Sequence, residues 1–394
     1  FQIRKFSESS SYRLELDNNV ACIKITNTER LLERHIRNLK PLVGFNTINC
    51  QVLALELLEN LLSAPTLAEF EDKGIGRMRL YRPGQYQVKG VEKYAEKLFV
   101  SRYGARSPNV TFLLNAFYGN KARLILKEAR TSFEVPLSSC VLSLRTYSGV
   151  RHFDVSGEEE IAIIDPNALP KHILRLTGLI PKENVEKAMQ DIKSAYTNFA
   201  GKILITRRIR LTSPNAFWLA FHSSNNILGS QLPNLQVKED NVAKLLTLYL
   251  NSAVVLLQLL SFAAETEGAW VSLDHKRVWS NIHVPNVDKI GKKTLRKALI
   301  AFNKIGKVDV KPLFVRIKEH DPIQREIDEL ALEMLGLENW KPRLDEIYDA
   351  LAKELETMHK ILETSRKPSK KPKITTEKKE KPTTETITKW LEKP

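Results

Sequence analysis

Arginines interleaved with aromatic residues are the side chains here whose types and spacing suit chemistry on a partner. Arg77, Arg79, Tyr81, Arg82 and Tyr86 form one such patch; Arg145, Tyr147 and Arg151 form a second, and His275, Lys276, Arg277 and Trp279 a third. A guanidinium bonds phosphate or the edge of guanine in a two-pronged fashion, and an aromatic ring stacks on an exposed base. A fourth patch lies on a predicted strand over 202–211, where Arg208 and Arg210 share one face two residues apart and Arg207 intrudes on the apolar face, predicting a bulge or an internal ion pair. A predicted amphipathic helix over 292–305 sets Leu295, Ala298, Leu299 and Phe302 against Lys293, Arg296, Lys297 and Lys304, a basic stripe that suits a phosphate backbone and equally plain solubility.

No catalytic constellation accompanies these patches. Gly74-Ile75-Gly76 lacks the third glycine of a dinucleotide fingerprint, and Gly201-Lys202 and Gly306-Lys307 lack the upstream glycine of a phosphate loop. The eight histidines never pair at helical spacing, so neither a metal nor a catalytic residue is assigned. Glu158-Glu159-Glu160 follows a glycine and reads as a solvated turn.

The elements that must position the patches follow from periodicity. The chain has 394 residues, 42% of them apolar, enough for more than one core, and a net charge of +15 that favours a polyanionic partner. The fold expected is α+β: twisted antiparallel sheets with flanking helices, then a helical C-terminal portion. Residues 1–109 read as a mixed α/β part, with a hairpin turning at Asp17-Asn18-Asn19, helices over 28–40 and 50–62, and a short helix from Val91 to Phe99. Residues 110–235 read as β-rich, with strands over 111–118, 122–127, 138–147 and 160–164, a helix over 181–198, and a hairpin pairing 202–211 with 216–222. Residues 236–364 read as helical: a core helix over 241–264, the basic helix, and a hairpin of helices over 321–335 and 342–363, capped by Asp321 and closed by Gly336. Residues 365–394 hold ten basic residues against four Glu and read as a disordered Lys/Pro/Thr tail.

Leu245–Ala264 carries no charge, but its Thr247, Asn251, Ser252, Gln258 and Ser261 favour a buried core helix over a membrane span. Cys22, Cys50 and Cys140 have no metal spacing and suit reduced thiols in a cytoplasmic protein. The opening Phe1 in place of a Met predicts that the chain begins inside a longer parent or follows a processing event.

Residues 217–288 carry a family pattern. Phe217-Trp218-Leu219-Ala220-Phe221-His222-Ser223-Ser224 leads into a leucine-rich helix containing Leu250-Asn251-Ser252; Glu265-Thr266-Glu267-Gly268-Ala269-Trp270 and Val284-Pro285-Asn286 follow. This resembles the C-terminal target-recognition region of adenine-specific DNA methyltransferases of restriction-modification type. The helical hairpin with Arg325, Ile327, Asp328 and Gly336 looks like the end of such proteins, and Pro83-Gly84-Gln85-Tyr86 to Arg102 is similar to their middle region. The resemblance covers about half the chain. The family's glycine-rich S-adenosylmethionine loop and its Asn-Pro-Pro-Tyr-type tetrapeptide have no counterpart, so no catalytic residue is carried over.

The resemblance implies a module that grips double-stranded DNA. An upstream domain or a partner subunit would bind S-adenosylmethionine and methylate adenine. Asn251 and Trp270 each have two readings, base contact or packing, as do Tyr81, Tyr147 and Trp279. A stand-alone nucleic-acid-binding or scaffold protein is the alternative, and a nuclease with an unseen site the third.

Overall fold

The computed structural model describes residues 3–5, 11–16, 19–24 and 45–365, apart from 73–75, 83–89, 106, 108 and 267–269. The expected helix over 28–40, Pro83–Tyr86, Gly268-Ala269 and the 366–394 stretch of the tail lie outside these residues. The N-terminal strands β1 (Ile3–Lys5), β2 (Ser11–Leu16) and β3 (Asn19–Lys24) form an antiparallel meander. Leu16 pairs with Asn19, as the expected hairpin requires.

A ten-stranded mixed sheet organises the rest. Its strands are β4 (Gly76–Leu80), β5 (Phe99–Ser101), β6 (Phe112–Tyr118), β7 (Lys121–Leu126), β8 (Thr131–Pro136), β9 (Cys140–Leu144), β10 (Glu160–Ile163), β11 (Gly201–Ile205), β13 (Ala220–Gly229) and β14 (Pro233–Val237), while β12 (Arg208–Ile209), β15 (Ala264–Thr266) and β16 (Trp270–Ser272) form a separate small sheet. The order across the large sheet is β4-β14-β11-β13-β9-β10-β5-β6-β7-β8. The β13–β9 and β5–β6 pairings are parallel, and the other neighbours are antiparallel as expected.

Eleven helices flank the sheets among the described residues: α1 (Ile48–Asn60), α2 (Leu67–Asp72), α3 (Glu92–Leu98), α4 (Lys171–Leu176), α5 (Lys182–Phe199), α6 (Asp240–Leu250), α7 (Ala253–Phe262), α8 (Lys292–Ile305), α9 (Leu313–Lys318), α10 (Pro322–Leu335) and α11 (Leu344–Ser365). Two cores result. One packs α3 and α5 against β5, β6, β7 and β10 through Leu98, Phe99, Phe112, Leu124, Met189 and Ile192. The other joins α1, α6, α7, α8, α10 and α11 to β11 and β13. The helices expected over 50–62, 181–198, 292–305 and 321–335 are α1, α5, α8 and α10, because their apolar stripes match the faces buried here.

Two expectations need correction. The core helix over 241–264 is two helices, α6 and α7, bent by 70°. At the bend Asn251 turns its amide onto the neighbouring strand: Oδ1 accepts from Leu219 N (2.8 Å) and Ala220 N (3.0 Å), and Nδ2 donates to Ala220 O (2.9 Å) and Thr247 O (3.0 Å). Ser252 then caps α7, its Oγ accepting from Val255 N. Hydropathy alone does not reveal such a break, since every residue around it stays buried. No single helix among the described residues is long and apolar enough to cross a membrane; the bent α6–α7 pair has the composition of a broken span, but its residues lie in the core.

The second correction is the strand over 202–211. It splits, so that β11 pairs with β13 in the large sheet and β12 pairs with β16 in the small one. Arg207 explains the break. It falls where an unbroken strand would turn its side chain into the core, and a lone buried charge is costly. The chain leaves the large sheet after Thr206, whose carbonyl accepts from Trp279 Nε1 at 2.7 Å.

Candidate nucleic-acid interface

The solvated turn expected at Glu158-Glu159-Glu160 is not what forms: Glu159 and Glu160 are buried, and Glu160 opens β10, where its carboxylate holds two loops in place. Its Oε1 accepts from Ser101 Oγ (3.0 Å), Arg102 N (2.5 Å) and Tyr103 N (3.0 Å), and its Oε2 accepts from Arg145 N (2.6 Å). Burial pushes this carboxyl above its usual range, and the backbone donors pull against that shift. The loop after β5 is thereby pinned to the loop after β9. Gly104 makes their close approach possible, because a Cβ there would stand 2.6 Å from Thr146 Cγ2.

Beside these loops lies an open cleft of about 930 Å³. Arg145, Tyr147 and Arg151 line it from the loop after β9, Arg207 and Arg208 from the split strand, and Tyr103 from the loop after β5. Glu96 is the one carboxylate residue in the described lining, and its Oε1 accepts from Gln231 Nε2 at 3.0 Å.

The arginines are held in different ways. Arg145 Nη2 donates to Asn109 O at 2.5 Å, and burial draws its guanidinium below the ordinary arginine range, with Glu160 and Glu96 opposing. Arg151 is largely exposed; its guanidinium lies 5.8 Å from the Phe217 ring and 3.9 Å from Asp309, and its carbonyl accepts from Trp218 Nε1. Arg208 sits 5.4 Å from the ring of Trp270, which is 36% exposed. Burial raises the Tyr147 phenol, and Arg208 works in the opposite direction. Burial lowers the His275 imidazole; Asp274 opposes the shift, and Lys276, Arg82 and Arg207 add to it.

Five sequence candidates therefore converge on the cleft: Arg145, Tyr147, Arg151, Arg207 and Arg208. Others do not. Arg77 and Arg79 lie 3.7 and 3.2 Å from Glu71. Arg210 is half-buried and outside the lining. Lys276 and Arg277 are exposed on the turn after β16, where Asp274 Oδ1 accepts from both backbone nitrogens.

The basic helix is partly neutralised. Lys297 pairs with Glu333 at 3.1 Å and Lys304 with Glu326 at 2.7 Å, whereas Lys293 and Arg296 are exposed without an ion pair among the described residues. Of the two readings open to Tyr81, Trp279 and Asn251, burial leaves packing. Tyr81 donates to Asp191 Oδ2 at 2.7 Å, Trp279 closes the break after β11, and Asn251 ties the α6–α7 bend.

Sequence reasoning missed Tyr103 and Glu96. A signal for Tyr103 was present in Arg102-Tyr103-Gly104, the same interleaving of basic and aromatic residues as elsewhere. Glu96 had none, since it reaches the cleft only through the packing of α3. Among the described residues no group of three acidic, histidine or cysteine side chains is placed to hold a metal ion.

No protein-family model matches the chain, and none of the curated proteins matches it. Among solved structures, the type IIG restriction endonuclease BpuSI is similar, with 14% identity and a TM-score of 0.48 over 86% of this chain and 36% of that one. The chain thus spans about a third of that protein's length. A likeness of this score decides neither fold nor function.

Proposed function

We propose that this chain is the DNA sequence-recognition module of an adenine-specific DNA methyltransferase of restriction-modification type. The observation that carries the reading is the convergence of Arg145, Arg151, Arg207 and Arg208, from separate chain segments, on one cleft with a single carboxylate residue in its described lining. Such a surface attracts a polyanion, and each phosphate it neutralises releases counterion. The 217–288 pattern directs the choice among polyanions to duplex DNA carrying a methylation target.

In this reading the rim arginines hold phosphates and fix register, and arginines that reach base edges supply sequence preference. The catalytic step belongs to a methyltransferase domain or partner outside these residues, which would bind S-adenosylmethionine. The cleft does not fit that cofactor: four guanidinium groups repel a sulfonium, and Glu96 already accepts from Gln231. No methyl-transfer step is therefore assigned to residues of this chain.

Selection of bound duplexes from a randomised pool, at a low and a high salt concentration, tests the reading. A short enriched motif that survives the higher salt is the expected result. Binding with no motif that collapses with salt would leave only a phosphate grip, and the stand-alone nucleic-acid-binding reading would replace this one.

A further inference from the structure

The short connection from β13 to β14 carries a side chain that the charge of the cleft does not explain. Gln231 lines the cleft, is exposed, and holds its backbone in the left-handed region at φ +64°. The connection is fixed from both sides. Ser230 N donates to Leu144 O at 3.1 Å, and the buried Asn234 accepts from Gly229 N at 2.9 Å and donates to Leu232 O at 3.3 Å. The chain doubles back so tightly that a Cβ on Gly229 would stand 2.4 Å from Leu232 O.

A residue with a Cβ is disfavoured at that φ, where glycine enters at no steric cost. Such strain persists where the surroundings over-determine it, and it gathers at positions that contact ligands. The turn alone would be served better by glycine, so the reason for a glutamine lies in its side chain. Its Nε2 donates to Glu96 Oε1 at 3.0 Å, and a single hydrogen bond between two solvent-accessible groups returns little stability. What that bond does fix is the direction of the amide, because the opposite flip would set Oε1 against the carboxylate. One N–H of Nε2 then remains, and Oε1 accepts from no group among the described residues. A donor beside an acceptor matches the adenine edge in the major groove, where N7 accepts and the 6-amino group donates; guanine presents two acceptors there and does not match.

We propose that Gln231 is a specificity-determining residue that reads the major-groove edge of a paired adenine. The inference rests on the DNA-binding reading above and deepens it by naming a base and the residue that selects it. The adenine stays stacked and paired. The arginines hold phosphates of the same duplex, and Glu96 is a positioning residue that keeps the amide turned.

The test selects bound duplexes from a randomised pool with the full chain and with Gln231→Gly, a substitution that suits φ +64° and should melt no lower than the wild type. The wild-type motif should contain an adenine whose preference is lost in the variant while the other positions keep theirs, and the variant should bind that motif about tenfold more weakly. Replacing the adenine by 7-deazaadenine removes the N7 acceptor and keeps the base pair. It should weaken wild-type binding about fivefold and leave the binding of the variant unchanged. An unaltered motif in the variant, a wild type indifferent to 7-deazaadenine, or a wild-type motif without adenine would each overturn the inference and leave the recognition reading standing. Wild-type binding with no motif would defeat the recognition reading too, and failure to bind any duplex would defeat the DNA-binding reading itself.

Discussion

The cleft and the helix α8 present similar basic residues in different electrostatic settings. In the cleft, four arginines share a described lining that contains one carboxylate residue. On α8, Lys297 and Lys304 are each matched by a glutamate of α10, leaving Lys292, Lys293 and Arg296 as the exposed cations without an ion pair among the described residues. Counting charges along the sequence ranks α8 above the loop at 145–151. Counting them in space narrows the difference: Arg207 and Arg208 join the loop's arginines at the cleft, Glu333 and Glu326 pair two lysines of α8, and Arg151 lies 3.9 Å from Asp309. Two lysines paired to carboxylates across a helix–helix interface attract phosphate weakly, because each carboxylate cancels much of the field at its partner.

The same helix α10 performs two electrostatic tasks. Its outward face supplies Glu326 and Glu333 to α8. Its inward face supplies the buried Asp328, whose Oδ1 accepts from Ala253 N at 2.6 Å and whose Oδ2 accepts from Tyr348 OH at 2.6 Å. Burial lifts Asp328 to about 7, while Lys341 and Lys297 hold Glu333 below its ordinary value despite partial desolvation. Exposed carboxylates beside lysines and a buried one among neutral donors titrate in opposite directions.

The contrast between cleft and helix can be broken most directly by removing cleft charge. Arg207→Ala combined with Arg208→Ala should weaken duplex binding by about a hundredfold or more and lower the salt slope by about one for each phosphate no longer neutralised. Anisotropy titrations over a salt series would show it. A weakening below about threefold would move the binding surface away from the cleft.

Next in size is the pH dependence of the region behind α8. Asp328 retains its proton to higher pH when folded than when unfolded. Its contribution to stability is therefore complete below about pH 4 and is lost as the pH rises toward about 7. Denaturant unfolding at about pH 5 and about pH 8 should show that loss in the wild type and a flatter profile in Asp328→Asn. Glu333 has the opposite sign, contributing above its unfolded value and losing that contribution as the pH falls through its depressed folded one.

A smaller effect sharpens the contrast from the other side. Glu333→Gln frees Lys297 and Lys341, so duplex affinity at low salt should rise by about twofold, at a stability cost of less than about 1 kcal/mol. The smallest effect belongs to Lys293→Ala with Arg296→Ala, which should change duplex affinity by no more than about threefold in the same titration. An effect equal to that of the Arg207/Arg208 pair would put α8 on the interface beside the cleft.

Much of the fold was legible. The stripes of α5, α8 and α10 and the alternation of β6 and β7 are local signals that tertiary packing preserves. Asp321 accepts from Ile323 N, and Gly336 takes the left-handed conformation that closes α10, both as their types and positions predict. Less of the site was legible. Arg145, Tyr147 and Arg151 could be named from their interleaving, and the cleft includes all three. Tyr81 and Trp279 share the same local pattern, yet their polar atoms are bonded to Asp191 and Thr206 in the interior.

Composition and periodicity, then, determined an α+β chain with apolar stripes for more than one core and an excess of cations, because each is a property of residue type or local spacing. Tertiary structure decided which cations remain available to a partner. The break after Thr206 that carries Arg207 and Arg208 away from the core, the knot at Asn251, the four bonds to Glu160 and the glutamates set against α8 all join residues distant in sequence. Hydrogen bonds and charge pairs act over a few ångströms, so their outcome depends on which segments meet.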